Sequence, residues 1–441
     1  MHGMKFVYSV NRIVRSRGVR ATAMIAGATA LGQAALVLLM PLLTRLYRPE
    51  DFGTFAVFQG VMATVLVISS LRYEMAIPVA KTNNDARQLL TVALALNIGA
   101  ALFALLVVML SHADVARLLA APGLEACLWL LPVAIAVGGS YKALNYWAVR
   151  KRDYPLIART RILLALANLC AQISAGVAGL GALGIVIGQI VGYAAGAFLL
   201  VQRSATPKIR CGRDAFRRGV VVSSRNSNFP LFDAPAALVN TLGLQLPNLL
   251  FTGLFGATSA GLYLLAERVL LMPMTVISEA IGQVLFSTSR EAAAEGRLPR
   301  SIIRIFGGLL AAIAVPIVVI FMGGEQIFAF AFGEDWRMAG LYASWLSFGI
   351  AAQFLYSSIS VALIATGGQR LNLLIHATLL AAKLAAAWYG YYADSTLAAV
   401  MALSGTNVFG YGLGALAVFV HVHSRVVRSV NSGGIRSGET E

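Results

Sequence analysis

The sequence predicts an all-α polytopic membrane protein of about twelve transmembrane helices in two parallel six-helix lobes, with both termini cytoplasmic. Three observations predict it. Hydrophobic residues make up 58% of the 441-residue chain and charged residues only 12%, against about 25% charged in a soluble domain. The apolar residues fall in long runs without strand-like alternation, which excludes a β-barrel. The net charge of +16 is concentrated in alternate loops.

Residues 1–20 come first. Phe6, Val10, Ile13 and Val14 share one helical face, and Lys5, Arg12, Arg15 and Arg17 fall largely elsewhere. That pattern predicts a short basic amphipathic helix on the cytoplasmic membrane surface. The apolar run behind it exceeds the core of a signal peptide, so the segment reads as retained. A span needs about 20 apolar residues. Twelve runs follow, at 21–43, 54–71, 88–110, 124–149, 162–178, 183–201, 229–255, 259–287, 302–322, 338–365, 371–391 and 397–420. They divide into an N-terminal lobe, 21–202, and a C-terminal lobe, 229–423. A basic cytoplasmic linker, 203–228, joins the lobes, and 424–441 forms a cytoplasmic tail.

The loops orient the spans. With the N-terminus inside, 28 of the 35 Lys and Arg residues lie in cytoplasmic segments, counting Arg304 at the inner edge of the ninth span. Four lie outside (Arg45, Arg48, Arg117, Arg337) and three within spans (Lys142, Arg268, Lys383). This is a strong positive-inside bias. It assigns the +16 to the anionic lipids of the inner leaflet rather than to nucleic acid. An even span count per half makes any repeat a parallel one. A trace of one exists. Leu43-Thr44-Arg45-Leu46-Tyr47 with Gly53-Thr54-Phe55 aligns, at an offset of 208, with Phe251-Thr252-Gly253-Leu254-Phe255 and Gly261-Leu262-Tyr263. Both segments fall at the outer turn of the first hairpin of their half.

Several motifs carry packing rather than chemistry. Gly179-x-Gly181-x-x-Gly184 matches a dinucleotide fingerprint but lies in a short outer turn between two spans, without the strand that fingerprint requires. Gly188, Gly192 and Gly196, and likewise Gly410 and Gly414, recur every fourth residue, which lets helix backbones approach closely. Cys127, Cys170 and Cys211 are scattered, with no C-x-x-C, and read as small apolar fillers. No P-loop lysine motif, catalytic constellation or metal-ligand cluster appears, so neither an enzyme nor a cofactor is expected. The outer loops are short, the longest about sixteen residues between the ninth and tenth spans.

Ionisable groups inside spans are the sharper signal, because each costs roughly 2.5–3.5 kcal/mol at a span centre. The eighth span holds Glu267, Arg268 and Glu279, with Arg268 and Glu279 three turns apart on one face. The seventh opens with Asp233, carries Asn240, Gln245 and Asn248, and is broken by Pro235 and Pro247. Interrupted spans point to a central site. The eleventh places Asn372, His376 and Lys383 on one face. Arg268 reads either as lining a water-filled lumen or as paired with an acid on another helix. Lys142, in the fourth span, either lines the lumen or snorkels to the inner surface. Arg72 and Glu74 mark the inner end of the second span and suit a salt bridge at the cytoplasmic mouth or a gate.

Leu43 to Gly53, then Leu71-Arg72-Tyr73-Glu74-Met75-Ala76-Ile77, resembles the polysaccharide-export flippases of the multidrug/oligosaccharidyl-lipid/polysaccharide superfamily. So do Phe229-Pro230-Leu231-Phe232, Gln245-Leu246-Pro247 and Ala260-Gly261-Leu262-Tyr263. The resemblance implies a two-lobed fold with a central cationic cavity in a bacterial inner membrane. It implies alternating access and, as substrate, undecaprenyl-pyrophosphate bearing an oligosaccharide repeat unit. Arg268, Lys383 and Lys142 then suit the pyrophosphate. Gln245, Asn248 and Gln353 suit the sugar. Glu74, Asp233, Glu267 and Glu279, with Arg72, suit ion coupling or gating. Polysaccharide polymerase or export proteins are the implied partners. The rival readings are a cation or drug antiporter of the same superfamily, a peptidoglycan-precursor flippase, a membrane polymerase or ligase, and an assembly scaffold.

Overall fold

A computed structural model describes residues 17–118, 123–204, 213–294, 298–365 and 368–436. The predicted surface helix at 1–16 lies outside the described residues. All regular elements among the described residues are helical. The chain divides into two compact units, 1–261 and 262–441.

The first unit contains α1 (Arg17–Leu46), α2 (Pro49–Ile68), the short α3 (Tyr73–Val79), α4 (Asn83–Leu118), the short α5 (Leu124–Leu128), α6 (Leu131–Lys151), α7 (Tyr154–Val177), α8 (Ala182–Arg203) and α9 (Arg213–Arg225). A π-helical turn, Phe229–Asp233, leads into α10 (Ala234–Ala294). That helix is two in series, because Gly256 breaks it at φ 82, ψ 170. Glycine alone adopts such a conformation readily. The segment 234–255 belongs to the first unit. The second unit holds most of 257–294, then α11 (Leu298–Phe332), α12 (Arg337–Ala365), α13 (Gln369–Tyr392) and α14 (Thr396–Arg436).

Among the described residues, ten helical stretches are long and apolar enough to cross a membrane. One of them, Phe229–Ser278, is the helix pair broken at Gly256. The 21-residue α6 stands apart from the ten, and Lys142 and Asn145 dilute its hydropathy. Together these helices accommodate the twelve predicted spans. Two boundaries differ from expectation. The long outer loop expected after the ninth span is mostly helix, since α11 runs on through its apolar end to Phe332. The last helix also continues beyond the predicted twelfth span, to Arg436.

The glycine ridge of α8 packs as its spacing predicts. A Cβ at Gly188 would meet Gln172 Cγ at 2.3 Å, and one at Gly192 would meet the Leu164 carbonyl oxygen at 2.8 Å, so α8 lies directly on α7. In the second unit a Cβ at Gly410 would meet the Leu379 side chain at 2.2 Å, and one at Gly414 the Tyr356 ring at 2.9 Å, which seats α14 on α13 and α12. Gly179 and Gly181 take positive φ, 72° and 52°, in the α7–α8 turn, and Asp51 accepts the Ala182 amide there at 2.9 Å. The fingerprint-like glycines are thus a helix connection. Cys127 is buried, whereas Cys170 is exposed.

The repeat segments touch each other within the first unit. A Cβ on Gly53 would fall 1.8 Å from the carbonyl oxygen of Ala257, and one on Gly261 would fall 1.7 Å from that of Pro49. The repeat offset of 208 maps Pro49 onto Ala257 and Gly53 onto Gly261, so it carries one contact into the other. Tyr47, at the same outer turn, donates to the Gln172 carbonyl at 2.5 Å. Burial, and then Asp51, pushes its phenol up to about 12.

Candidate functional site

In the first unit the site begins where α2 ends. Leu71 and Arg72 both adopt left-handed φ, 50° and 64°, and turn the chain into α3. Arg72 therefore caps, and Glu74 opens, a separate short helix beyond the end of α2. The turn aims Arg72 Nε at Asp233 Oδ2, 2.8 Å away on the π turn. The two side chains are 20% and 44% exposed. Glu74 is only 2% exposed and accepts a short hydrogen bond from Ser70 Oγ. Lys142 on α6 lies within electrostatic reach of Glu74 and Arg72. Tyr146, one turn further, feels Arg72, Glu74 and Asp233. Four of the predicted residues thus form one charge group of two cations and two acids.

Lys142 also lines a recess of about 190 Å³. Gln59, Gln189, Tyr193 and Thr241 supply its polar wall, and Met62 and Leu66 part of its apolar one. Gln189 hydrogen-bonds Tyr193, while its Oε1 is buried and has no hydrogen-bond partner. Thr241, Gln245 and Asn248 follow at i, i+4 and i+7, one face of the helix 234–255. Gln245 is half-buried and Asn248 buried. Only Thr241 of that face lines the recess. Sequence reasoning missed Gln59, Gln189, Tyr193 and Thr241. These are single uncharged residues in four-helix convergence, and nothing in a linear pattern joins them.

The second unit gathers a different set. Glu267 lies within electrostatic reach of both Arg268 and Lys383. Lys383 Nζ sits 5.7 Å from the Tyr411 ring centroid, a cation–π distance. The Tyr411 and Tyr356 rings are 5.3 Å apart. Tyr356 donates to Asn372 Oδ1 at 2.7 Å and stands edge-on to His376 at 5.9 Å. Asn372, His376 and Lys383 thus meet an aromatic pair from α12 and α14. Beside it, Ser278 Oγ bonds Ser357 Oγ at 2.7 Å. Gln353 is half-buried on α12. The Glu279 side chain lies outside the described residues. Among the described residues no group of three His, Cys, Asp or Glu side chains is placed to hold a metal ion.

Residues 42–340 match the family model of polysaccharide biosynthesis proteins. Comparison with curated protein sequences finds no match. Among solved structures, the chain is similar to the lipid II flippase MurJ in an inward closed conformation, with TM-score 0.68 and 12% identity over 91% of this chain and 90% of that one. It is similar to an inward-facing multidrug resistance MATE family transporter of the MOP superfamily, with TM-score 0.66 and 13% identity over 90% of this chain and 98% of that one. The MATE multidrug transporter DinF-BH gives TM-score 0.60 and 15% identity over 93% of this chain and 96% of that one. At these identities the likeness establishes the fold.

Proposed function

The chain belongs to the polysaccharide biosynthesis protein family, and on that premise we propose that it carries undecaprenyl-pyrophosphate-linked oligosaccharide repeat units across a bacterial inner membrane by alternating access. It is a multi-pass membrane transporter with the MOP superfamily fold. The observation that carries the reading is Lys142, a cation within a span, half-buried and facing a recess walled by amides, a phenol and a hydroxyl. A drug antiporter needs acids for its cationic cargo. A glycan lipid needs hydrogen-bonding groups for sugar and cations for its anionic groups.

The lobes of this reading are 21–202 and 229–423, with 203–228 as linker. Arg268 and Lys383 take the pyrophosphate, and Gln245 and Asn248 line the sugar's path. Arg72 with Asp233 acts as a gate contact at the inner mouth. Glu74, Glu267 and Glu279 are the coupling acids. The basic inner loops rest on anionic lipid, and a polymerase or export protein consumes the product outside.

Deletion of the gene tests this reading. Loss of surface polysaccharide, with complete repeat units held on the inner leaflet and release by wild type but not by Arg268→Ala, is the expected result. Repeat units that reach the outer leaflet and stay unpolymerised would overturn it in favour of a polymerase.

A further inference from the structure

We propose that the Lys142 recess is a one-sugar subsite for an acidic residue of the repeat unit, so that the substrate is a glycan bearing a carboxylate. The inference rests on the flippase reading and names the substrate class within it.

Three features of the recess point to a sugar ring. Its volume of about 190 Å³ suits one ring rather than a whole oligosaccharide. Its wall alternates polar groups with the apolar side chains of Met62 and Leu66, which matches a pyranose with hydroxyls at its edge and C–H bonds on its face. Gln189 Oε1, buried and without a hydrogen-bond partner, is an acceptor that a sugar hydroxyl satisfies. Leaving such an acceptor unmet is unfavourable.

The charge pattern selects a carboxylate over a pyrophosphate. Lys142 is the one cation lining the recess among the described residues. Arg72, a second cation within electrostatic reach of Lys142, is engaged with Asp233 at 2.8 Å, and Glu74 acts on Lys142 with the opposite sign. One lysine against a locally balanced set suits a single negative charge. A pyrophosphate carries more charge and is held by several donors at once. The second unit provides such a set, with Arg268 and Lys383 near one acid, Glu267.

The anion at Lys142 has two sources in such a lipid, the sugar and the pyrophosphate, and the experiment separates them. Purified protein in proteoliposomes is given a polyprenyl pyrophosphate carrying a trisaccharide with one glucuronic acid. A second lipid is the same molecule with the carboxylate reduced to a primary alcohol. Translocation is read by protection of the sugar from an external glycosidase. Wild type is expected to favour the acidic lipid about tenfold, the scale of one charge-assisted hydrogen bond. Lys142→Met brings the acidic-to-reduced ratio to about one, and Lys142→Arg keeps it. A wild-type ratio of about one overturns the subsite, and this arm needs no folded variant. A ratio unchanged in Lys142→Met, with both lipids slowed alike, assigns Lys142 to the pyrophosphate and also overturns it, with the flippase reading intact. If wild type moves neither lipid, the flippase reading fails and the subsite with it.

Discussion

Replacing Gly53 with alanine tests one of the two closest backbone approaches in the first unit. The new Cβ would sit 1.8 Å from the Ala257 carbonyl oxygen and 2.6 Å from its carbonyl carbon. Ordinary contact between such atoms is about 3.5 Å, so the two helix starts must part by more than 1 Å. The obstacle is backbone, and no rotamer change relieves it. Overpacking of this kind costs about 1–3 kcal/mol, and the upper end applies here. Alanine returns about 1 kcal/mol through helix propensity. The net loss is about 2 kcal/mol, or roughly 4–8 °C in melting temperature for a unit of this size. Gly99→Ala on α4, where a Cβ meets nothing within 4 Å, is the control and should melt at or above wild type. The assay is a thermal melt of detergent-purified protein at one scan rate. Gly261→Ala, 1.7 Å from the Pro49 carbonyl oxygen, should match Gly53→Ala. The double variant should cost less than the two together, because the first separation makes room for the second. If Gly53→Ala melts with Gly99→Ala, the reasoning from close approach is refuted.

Three further outcomes are expected. A double-mutant cycle on Arg72→Ala and Asp233→Ala should give a coupling of about 0.2–1 kcal/mol, since both side chains are partly exposed and water screens the pair; a coupling above about 3 kcal/mol would contradict that exposure. Arg150 donates to the carbonyls of Ile77, Pro78 and Ala80 at 2.8–3.3 Å, so Arg150→Ala should cost about 1.5–3 kcal/mol. Hydrogen exchange should quicken at 77–86 and not in the second unit. Gly256→Ala forces a side chain into φ 82, ψ 170 and should cost about 1–3 kcal/mol. Melts would show this, and a neutral result would mean that the helix break lies elsewhere.

What could be read in advance follows from which forces leave a linear trace. Spans do, because hydrocarbon demands about 20 apolar residues in sequence, and the twelve runs reappear as helices. Faces of a single helix do, because spacing alone puts Asn372, His376 and Lys383 together. Convergence of several helices leaves no such trace. Gln59, Gln189, Tyr193 and Thr241 meet only after folding, and each by itself is an ordinary polar residue in a span. The break after α2 was hidden for another reason. Leu71 and Arg72 take left-handed φ, and neither is a residue type that signals it. The sequence therefore singled out Arg72 and Glu74 after the second span but not the turn that aims Arg72 at Asp233.

The offset of 208 residues carries more meaning than its few identities suggest. It maps Pro49 onto residue 257 and Gly53 onto Gly261. In the structure Gly53 lies against Ala257 and Gly261 against Pro49. The two contacts are one contact taken twice, as a two-fold relation between the repeat segments requires. Such a relation constrains few positions. A side chain at either glycine is excluded by the partner's backbone, and a backbone partner accepts any residue, so Pro49 and Ala257 need not match. The steric demand falls on the two glycines, which accounts for a similarity that is faint and sits at the point of contact.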